Sequence, residues 1–94
     1  MKLLFSHRFR QELRGEYHFL CELNPEAAIV VRQRIIKSIL RLKRFPESGR
    51  AWRLAGCREL VLPGLPYIII YQIDDDTVTI ASLFYPSREV RHEH

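Results

Sequence analysis

The sequence of 94 residues contains two cysteines and no long hydrophobic run, and these scarcities exclude several classes of protein. Because Cys21 and Cys57 form no Cys-x-x-Cys pair, a disulfide framework, a structural zinc site and a dithiol redox motif have no support. Apolar runs such as Tyr67 to Tyr71 are far shorter than the roughly 20 residues that span a bilayer. We therefore expect a reduced cytoplasmic protein that holds no metal and no other cofactor.

Recognisable catalytic motifs are missing as well. The sequence contains no nucleophile elbow, no phosphate-binding glycine loop, no His-Glu-x-x-His zinc motif and no paired catalytic carboxylates. Any active site must therefore be built from isolated side chains. The candidates are Arg50, Arg58, Tyr85, Arg88, His92 and His94.

Apolar residues, by contrast, are plentiful. The chain is 47% hydrophobic and 11% aromatic, whereas a disordered chain is poor in such residues. Since domains typically contain about 50 to 250 residues, a chain of this length fits one domain. We expect residues 1–94 to form a single domain with one core.

Two amphipathic helices are predicted in the N-terminal half. The first follows a short strand over Lys2 to Phe5 and begins after Ser6, whose hydroxyl suits an N-cap. The second begins at Pro25, behind the capping residue Asn24, and should end near Phe45, because the following proline disfavours helical geometry in its predecessor. Their apolar positions recur every three or four residues, at Phe9, Leu13, Tyr17 and Leu20 in the first helix and at Ala28, Val31, Ile35, Ile39 and Leu42 in the second.

The C-terminal half is typical of β-strands. Apolar residues there alternate or form short β-branched and aromatic runs, which favour half-buried and central strands respectively. The segments are Trp52 with Leu54, Leu60 with Leu62, the run Tyr67 to Tyr71, and Thr77 to Phe84. They predict an antiparallel meander, so the whole chain has the order β-α-α-β-β-β. This order indicates an α+β domain with a helical hairpin packed on one face of a small antiparallel sheet.

Charge is unevenly distributed along the chain. Residues 1–50 contain eleven Lys and Arg against five Asp and Glu, a net charge of +6, whereas residues 51–94 contain four against six, a net charge of −2. Part of the positive excess forms a stripe along the second helix, at Arg34, Lys37, Arg41 and Arg44. The stripe is either a solvated helix face or a surface for an acidic partner or nucleic acid.

Arg58 occupies an unusual position for a cation. It shares the alternation of the neighbouring apolar residues, Leu60 and Leu62, and should point to the same side of the sheet. It is either a partly buried arginine that pairs with a carboxylate or caps helix carbonyls, or a residue that contacts a substrate.

The other candidates leave similar alternatives open. Arg50 is either a solvated loop arginine or a binding residue, and Tyr85 is either an edge aromatic or a weak proton donor that can also stack on a base. Arg88 can hold a phosphate in bidentate fashion. His92 and His94 lie in a short polar tail, where a metal-binding or catalytic role is the less favoured interpretation.

Five short motifs follow one another along the chain, namely Pro46-x-x-Gly49-Arg50, Gly56 to Leu60, Pro66 to Tyr71, Thr77 to Ile80, and Arg88. Taken in this order, they resemble the ParE/RelE superfamily of type II toxins, the small toxins of bacterial toxin-antitoxin operons, and the ParE branch in particular. The resemblance covers nearly the whole chain.

The resemblance implies two N-terminal helices packed on a small twisted antiparallel sheet. It also implies a toxin held inactive by a cognate antitoxin, a small acidic and partly disordered protein that wraps the helices and the sheet. The basic stripe at Arg34, Lys37, Arg41 and Arg44 would suit such a partner, since the charges are complementary.

Members of this superfamily differ in the cellular target that they act on. Members similar to ParE inhibit DNA gyrase by binding, with Arg50, Arg58, Tyr85 and Arg88 as the expected contacts here. Members similar to RelE are ribosome-dependent mRNA endoribonucleases, a function that would rely on Arg58, Arg88 and Tyr85 as catalytic residues. No lysine follows Arg50, which favours the gyrase-binding branch, whereas Tyr85 stands where ParE-like members commonly have histidine.

Overall fold

The computed structural model describes residues 1–86, which form a helical hairpin packed on one face of a five-stranded sheet. The elements are β1 (Lys2–Phe5), α1 (His7–Leu23), α2 (Pro25–Leu40), a 3₁₀ turn (Arg41–Lys43), β2 (Arg50–Ala51), β3 (Cys57–Val61), β4 (Ile68–Asp74) and β5 (Thr77–Phe84). This order confirms the predicted α+β fold with its N-terminal helical hairpin. Four strands follow the helices, however, where the predicted order β-α-α-β-β-β has three, and the additional strand is the short β2.

Both helices begin at the predicted caps. The Ser6 Oγ accepts a hydrogen bond from the Phe9 amide at 3.0 Å, and the Asn24 Oδ1 accepts one from the Ala27 amide at 3.1 Å. Pro25 occupies the first turn of α2, where its missing amide hydrogen removes no helical bond. The Asn24 amide also donates to the Leu20 carbonyl at 2.8 Å, so this single residue ends α1 and begins α2.

The end of α2 differs from the prediction. The α-helix ends at Leu40 and tightens into the 3₁₀ turn, although the Phe45 amide still bonds the Arg41 carbonyl at 2.9 Å. Tightening of this kind is common in the last turn of a helix, where the carbonyl groups lack regular partners. The chain therefore stays coiled up to Phe45 without remaining α-helical.

The sheet has the strand order β1-β5-β4-β3-β2. Strands β2 to β5 form the predicted antiparallel meander. Strand β1 departs from the antiparallel sheet that the sequence predicts, because it pairs in parallel with β5, with Leu3 opposite Val78 and Phe5 opposite Ile80. Both helices and strands β2 to β4 separate β1 from β5 in sequence, so no tight hairpin dictates an antiparallel direction.

The segment around Trp52 is another departure from the prediction. Strand β2 contains only Arg50 and Ala51, and the predicted strand residues Trp52 and Leu54 lie in the loop that follows it. The Trp52 amide bonds the Cys57 carbonyl at 3.0 Å and closes this loop. Gly56 adopts φ +80°, a left-handed conformation that reverses the chain before β3 and that glycine adopts without strain.

The core lies between the helical hairpin and the sheet face that it covers, which we call the inner face. The buried apolar residues that face this core are Phe9, Ala28, Ile35, Ile39 and Leu42 in the helical segment and Ile69, Tyr71, Val78, Ile80 and Leu83 in the sheet strands. Four of the five positions predicted for the apolar stripe of the second helix are buried, and the fifth, Val31, is partly buried. The opposite side of the sheet, which we call the outer face, has no helix on it among residues 1–86.

None of the helices within residues 1–86 is both long enough and apolar enough to cross a membrane.

Candidate functional site

The turn between α2 and β2 is hydrogen-bonded to a buried tyrosine of the core. The Tyr71 Oη donates a hydrogen bond to the Pro46 carbonyl at 2.7 Å and accepts one from the Gly49 amide at 2.9 Å. A Cβ at position 49 would lie 2.5 Å from the Tyr71 Oη and 2.7 Å from the Glu59 carbonyl oxygen. Glycine is therefore required at position 49 for the turn to fit over the tyrosine.

Arg58 joins the same set of hydrogen bonds. It lies opposite Tyr71 in the sheet register and donates from Nη1 to the Gly49 carbonyl at 2.8 Å. The structure thus favours the partly buried alternative, with a turn carbonyl as the acceptor in place of a carboxylate or helix carbonyl. We call Pro46, Gly49, Arg58 and Tyr71 the turn network.

The surroundings of Tyr71 in the turn network change the pKa of its phenol. Burial raises the pKa of the Tyr71 phenol, while the Gly49 amide and the Arg58 guanidinium act in the opposite direction. The phenol therefore stays protonated at neutral pH and can donate to Pro46.

On the outer face, Arg50 pairs with a glutamate across the strands. Arg50 lies opposite Glu59, and its Nε donates to the Glu59 Oε1 at 2.5 Å. The arginine side chain is 70% exposed, and an ion pair this exposed contributes at most about 1 kcal/mol. Arg50 is therefore a strand residue with a surface ion pair, and its guanidinium remains accessible.

An open cleft of about 350 Å³ lies beside this ion pair. Its floor includes Ile70 and Phe84, and the loop after β2 supplies an aromatic residue and a cation to its rim. The Arg53 Cζ lies 4.9 Å from the centre of the Trp52 ring, within the range of a cation–π interaction. We call the cleft formed by Ala51, Trp52, Arg53, Glu59, Ile70 and Phe84 the outer cleft.

Tyr85 belongs neither to the turn network nor to the outer cleft. Its ring packs edge-on against the Tyr67 ring with 5.5 Å between centroids, and the Tyr67 Oη donates to the buried Glu16 carboxylate at 2.6 Å. Tyr67 and Tyr71 are four residues apart, about 13 Å along an extended chain, so Tyr85 and Arg58 contact opposite ends of this segment. The predicted pair is not brought together.

Three of the candidate residues, Arg88, His92 and His94, lie outside the described residues 1–86. Sequence patterns did not predict the outer cleft in full, because the alternation of Trp52 with Leu54 favours a strand and Arg53 belongs to none of the motifs. The signal that could have identified them is a tryptophan followed by an arginine, directly after a turn motif and before a glycine.

The basic stripe predicted on α2 is partly occupied by contacts within the chain. The Arg34 Nη2 donates to the Pro63 carbonyl at 2.7 Å, and the Arg44 Cζ lies 5.8 Å from the centre of the Phe45 ring. Arg41 lines a shallow groove beside β3, and Lys37 is exposed. The four side chains therefore do not form one uniform solvated surface.

Within the described residues, no group of three or more His, Cys, Asp or Glu side chains could hold a metal ion.

Comparison with known proteins identifies the family. The model for the ParE toxin of the type II toxin-antitoxin system, parDE, matches residues 3–90. The chain belongs to the ParE toxin family. Over 53 residues it is also 45% identical to the Sinorhizobium fredii protein "Putative toxin Y4kP". That match covers 56% of this chain and 55% of the relative, so the ParE-family chain spans about half the length of this curated protein.

Solved structures agree on the fold of this ParE-family chain. The chromosomal ParDE toxin-antitoxin system from P. aeruginosa matches with a TM-score of 0.82 at 22% identity, covering 90% of this chain and 95% of that chain. The E. coli RelBE complex matches at 0.64 and 22% identity, covering 87% and 92%, and the isolated E. coli RelE toxin matches at 0.65 and 20% identity, covering 99% and 98%. The predicted ParE/RelE-like fold and the membership in the ParE branch are confirmed.

Proposed function

We propose that this ParE-family toxin binds DNA gyrase through its outer cleft and inhibits it, and that a cognate antitoxin neutralises the toxin. The family supplies the class of function, a toxin of a type II toxin-antitoxin system. The observation that carries the proposal is the pairing of Trp52 with Arg53 at the rim of an open cleft with an apolar floor. Tryptophan and arginine are the side chains most often found at energetic hot spots of protein interfaces.

The chemistry of the described residues supports binding over RNA cleavage. General acid-base cleavage requires a proton acceptor and a proton donor close to one reacting group. Arg58 is bonded to the Gly49 carbonyl and Tyr85 is packed on Tyr67, at separate ends of the inner face. Among the described residues of the outer cleft, Glu59 is the one carboxylate, and Arg50 already holds it.

An antitoxin partner is supported by the structural relatives. Two of them, the P. aeruginosa ParDE system and the E. coli RelBE complex, are toxin-antitoxin assemblies. The proposed partner of this chain is a small acidic protein, since the positive charge is concentrated in residues 1–50.

The test is a DNA supercoiling assay with purified gyrase and purified toxin. We expect inhibition at micromolar toxin and at least about a tenfold loss of potency in Trp52→Ala and in Arg53→Ala, as for interface hot spots. Arg44→Ala is the matched control, because Arg44 also lies against an aromatic ring but on the helical side of the molecule. Its inhibition should equal that of the unaltered toxin.

Three outcomes would contradict the proposal. Full gyrase activity at micromolar toxin would exclude gyrase as the target. Equal losses of inhibition in Arg44→Ala and Arg53→Ala would exclude the outer cleft as the binding surface. Cleavage of mRNA in the ribosomal A site, measured by toeprinting, would identify the endoribonuclease alternative. Circular dichroism of each variant shows whether a loss of inhibition reflects a loss of fold.

A further inference from the structure

Strand β5 contains a β-bulge close to the outer cleft. In its pairing with β4, Ile80 lies opposite Tyr71. Ser82, two positions later, lies opposite Ile70, the residue adjacent to Tyr71, so Ala81 is an additional residue in β5. A bulge of this kind shifts the register by one residue and reverses the alternation of the side chains that follow it. We call Ala81 and Ser82 the β5 bulge.

The β5 bulge decides which face of the sheet Phe84 occupies. Before the bulge, Val78 and Ile80 lie in the core, two positions apart. The next core residue is Leu83, three positions after Ile80. Phe84 therefore points to the outer face, where it lines the outer cleft together with Ile70. In a strand without the bulge, Phe84 would point into the core and Leu83 would replace it on the outer face.

The apolar pattern alone selects only weakly between these two alternations. Leu83 and Phe84 are both large and apolar, so each alternation places one of them in the core and the other on the outer face. The polar contacts of the β5 bulge therefore contribute to the choice.

Side chains from the beginning of α1 make these polar contacts. The Glu12 Oε1 accepts hydrogen bonds from the Ser82 Oγ and from the Leu83 amide, both at 3.0 Å. The Ser6 Oγ donates to the Ala81 carbonyl at 2.8 Å. Because the pairing of β1 with β5 ends before the bulge, these side chains bond to groups of β5 that have no neighbouring residue of β1.

The other carboxylate oxygen of Glu12 lies toward solvent. Its Oε2 accepts a hydrogen bond from the Arg8 Nε at 3.3 Å, and the Arg8 side chain is 75% exposed. An ion pair this exposed contributes little to stability. Glu12 therefore acts on the sheet through its Oε1, which is bonded to both a side chain and a backbone amide of β5.

We propose that Glu12 is a positioning residue for the outer cleft. Its carboxylate holds the β5 bulge, and the bulge keeps Phe84 on the outer face. Glu12 itself is not among the residues that form the outer cleft. The inference rests on the proposed function, in which the outer cleft is the surface that binds gyrase.

Three variants separate the hydrogen-bond acceptor from the negative charge. Glu12→Ala removes the acceptor. Glu12→Gln removes the charge but keeps a carbonyl oxygen that can accept the same two hydrogen bonds. Arg8→Ala is the matched control, because it removes the ion pair and leaves the Glu12 acceptor in place.

Two measurements follow the alternation of β5 without gyrase. Nuclear Overhauser effects between backbone protons of β4 and β5 identify the residue opposite Ile69, which is Leu83 in the bulged strand and would be Ser82 without the bulge. Trp52 provides the second measurement, because it is the one tryptophan of the sequence and lies at the outer cleft. Its fluorescence emission depends on the side chains around it.

We expect Glu12→Ala to lose the contact between Ile69 and Leu83, to gain one between Ile69 and Ser82, and to shift the Trp52 emission maximum. Its inhibition of gyrase should be at least about tenfold weaker than that of the unaltered toxin. Glu12→Gln and Arg8→Ala should match the unaltered toxin in all three measurements.

The proposal is overturned if Glu12→Ala keeps both the contact between Ile69 and Leu83 and the original Trp52 emission. It is also overturned if Glu12→Gln loses them to the same extent as Glu12→Ala. Failure of Glu12→Ala to fold, measured by circular dichroism, would overturn it as well, because Glu12 would then support the whole fold.

The same data separate this inference from the proposed target. Weaker inhibition by Glu12→Ala with an unchanged β5 would overturn the positioning role alone. A changed β5 with full inhibition would confirm the positioning role and exclude the outer cleft as the surface that binds gyrase.

Discussion

The two faces of the sheet use similar side chains in different ways. On the inner face, Arg58 and Tyr71 are bound to the turn at Gly49. On the outer face, Arg53 lies over the Trp52 ring at the rim of an open cleft. An arginine beside an aromatic residue therefore stabilises the fold where backbone groups surround it and is available for a partner where they do not. The contrast is between a structural site and a proposed binding site, and mutations can test each half of it.

The largest expected effect is on the inner face, at Gly49. The change Gly49→Ala should lower the free energy of unfolding by about 3 kcal/mol, because its Cβ would overlap the Tyr71 hydroxyl and the Glu59 carbonyl. Gly15→Ala is the matched control, since no atom lies within 4 Å of its Cβ position and alanine favours the helix by about 1 kcal/mol. Urea unfolding measures both variants, and equal stabilities would contradict the requirement for glycine in the turn.

The next largest effect is a difference in stability between the variants of Arg58 on the inner face and Arg53 on the outer face. Arg58→Ala should cost about 2 kcal/mol of unfolding free energy, because it removes a charged donor from the Gly49 carbonyl. Arg53→Ala should change stability by no more than about 0.5 kcal/mol, as is usual at an exposed surface. Thermal and urea unfolding of both variants decide this, and a larger loss at Arg53 would reverse the assignment of the two faces.

The smallest expected effect is a dependence on pH. Burial raises the pKa of Tyr71 in the folded protein, whereas a tyrosine in the unfolded chain ionises near pH 10. The stabilisation from the protonated phenol is therefore complete below about pH 10 and is lost as the pH rises above it.

The variant Tyr71→Phe tests this titration. It should lose about 1 kcal/mol at neutral pH, with the bonds to Pro46 and Gly49, and should show a shallower decline of stability above pH 10. Urea unfolding at a series of pH values gives both quantities. The same decline with and without the hydroxyl would mean that Tyr71 does not titrate in this range.

Local sequence signals predicted much of the fold. The caps at Ser6 and Asn24 and the apolar stripe of α2 depend on contacts within a few residues, and the structure confirms them. The parallel direction of β1 depends on a partner more than 70 residues away, and no local pattern encodes it. The position of Trp52 was also missed, since two alternating apolar residues do not distinguish a strand from a loop.

The candidate site was less predictable than the fold. The alternation along β3 predicted that Arg58 points to the core side, but its acceptor, the Gly49 carbonyl, comes from a turn whose position depends on Tyr71. Arg50 lies beside the outer cleft only because its strand pairs with β3. The surroundings of these arginines depend on which strands pair, and the sequence pattern of one strand does not predict its partner.

The parallel pairing of β1 with β5 also bears on how the chain assembles during translation. The Ser6 hydroxyl bonds the Ala81 carbonyl across 75 residues, and the Ser6 amide bonds the Ile80 carbonyl. The first strand therefore has no place in the sheet until the last strand has left the ribosome. Contacts between such distant residues slow folding, because a long loop must close before they form. A nascent chain interrupted before β5 would lack both this closure and Phe84, one of the residues that form the outer cleft.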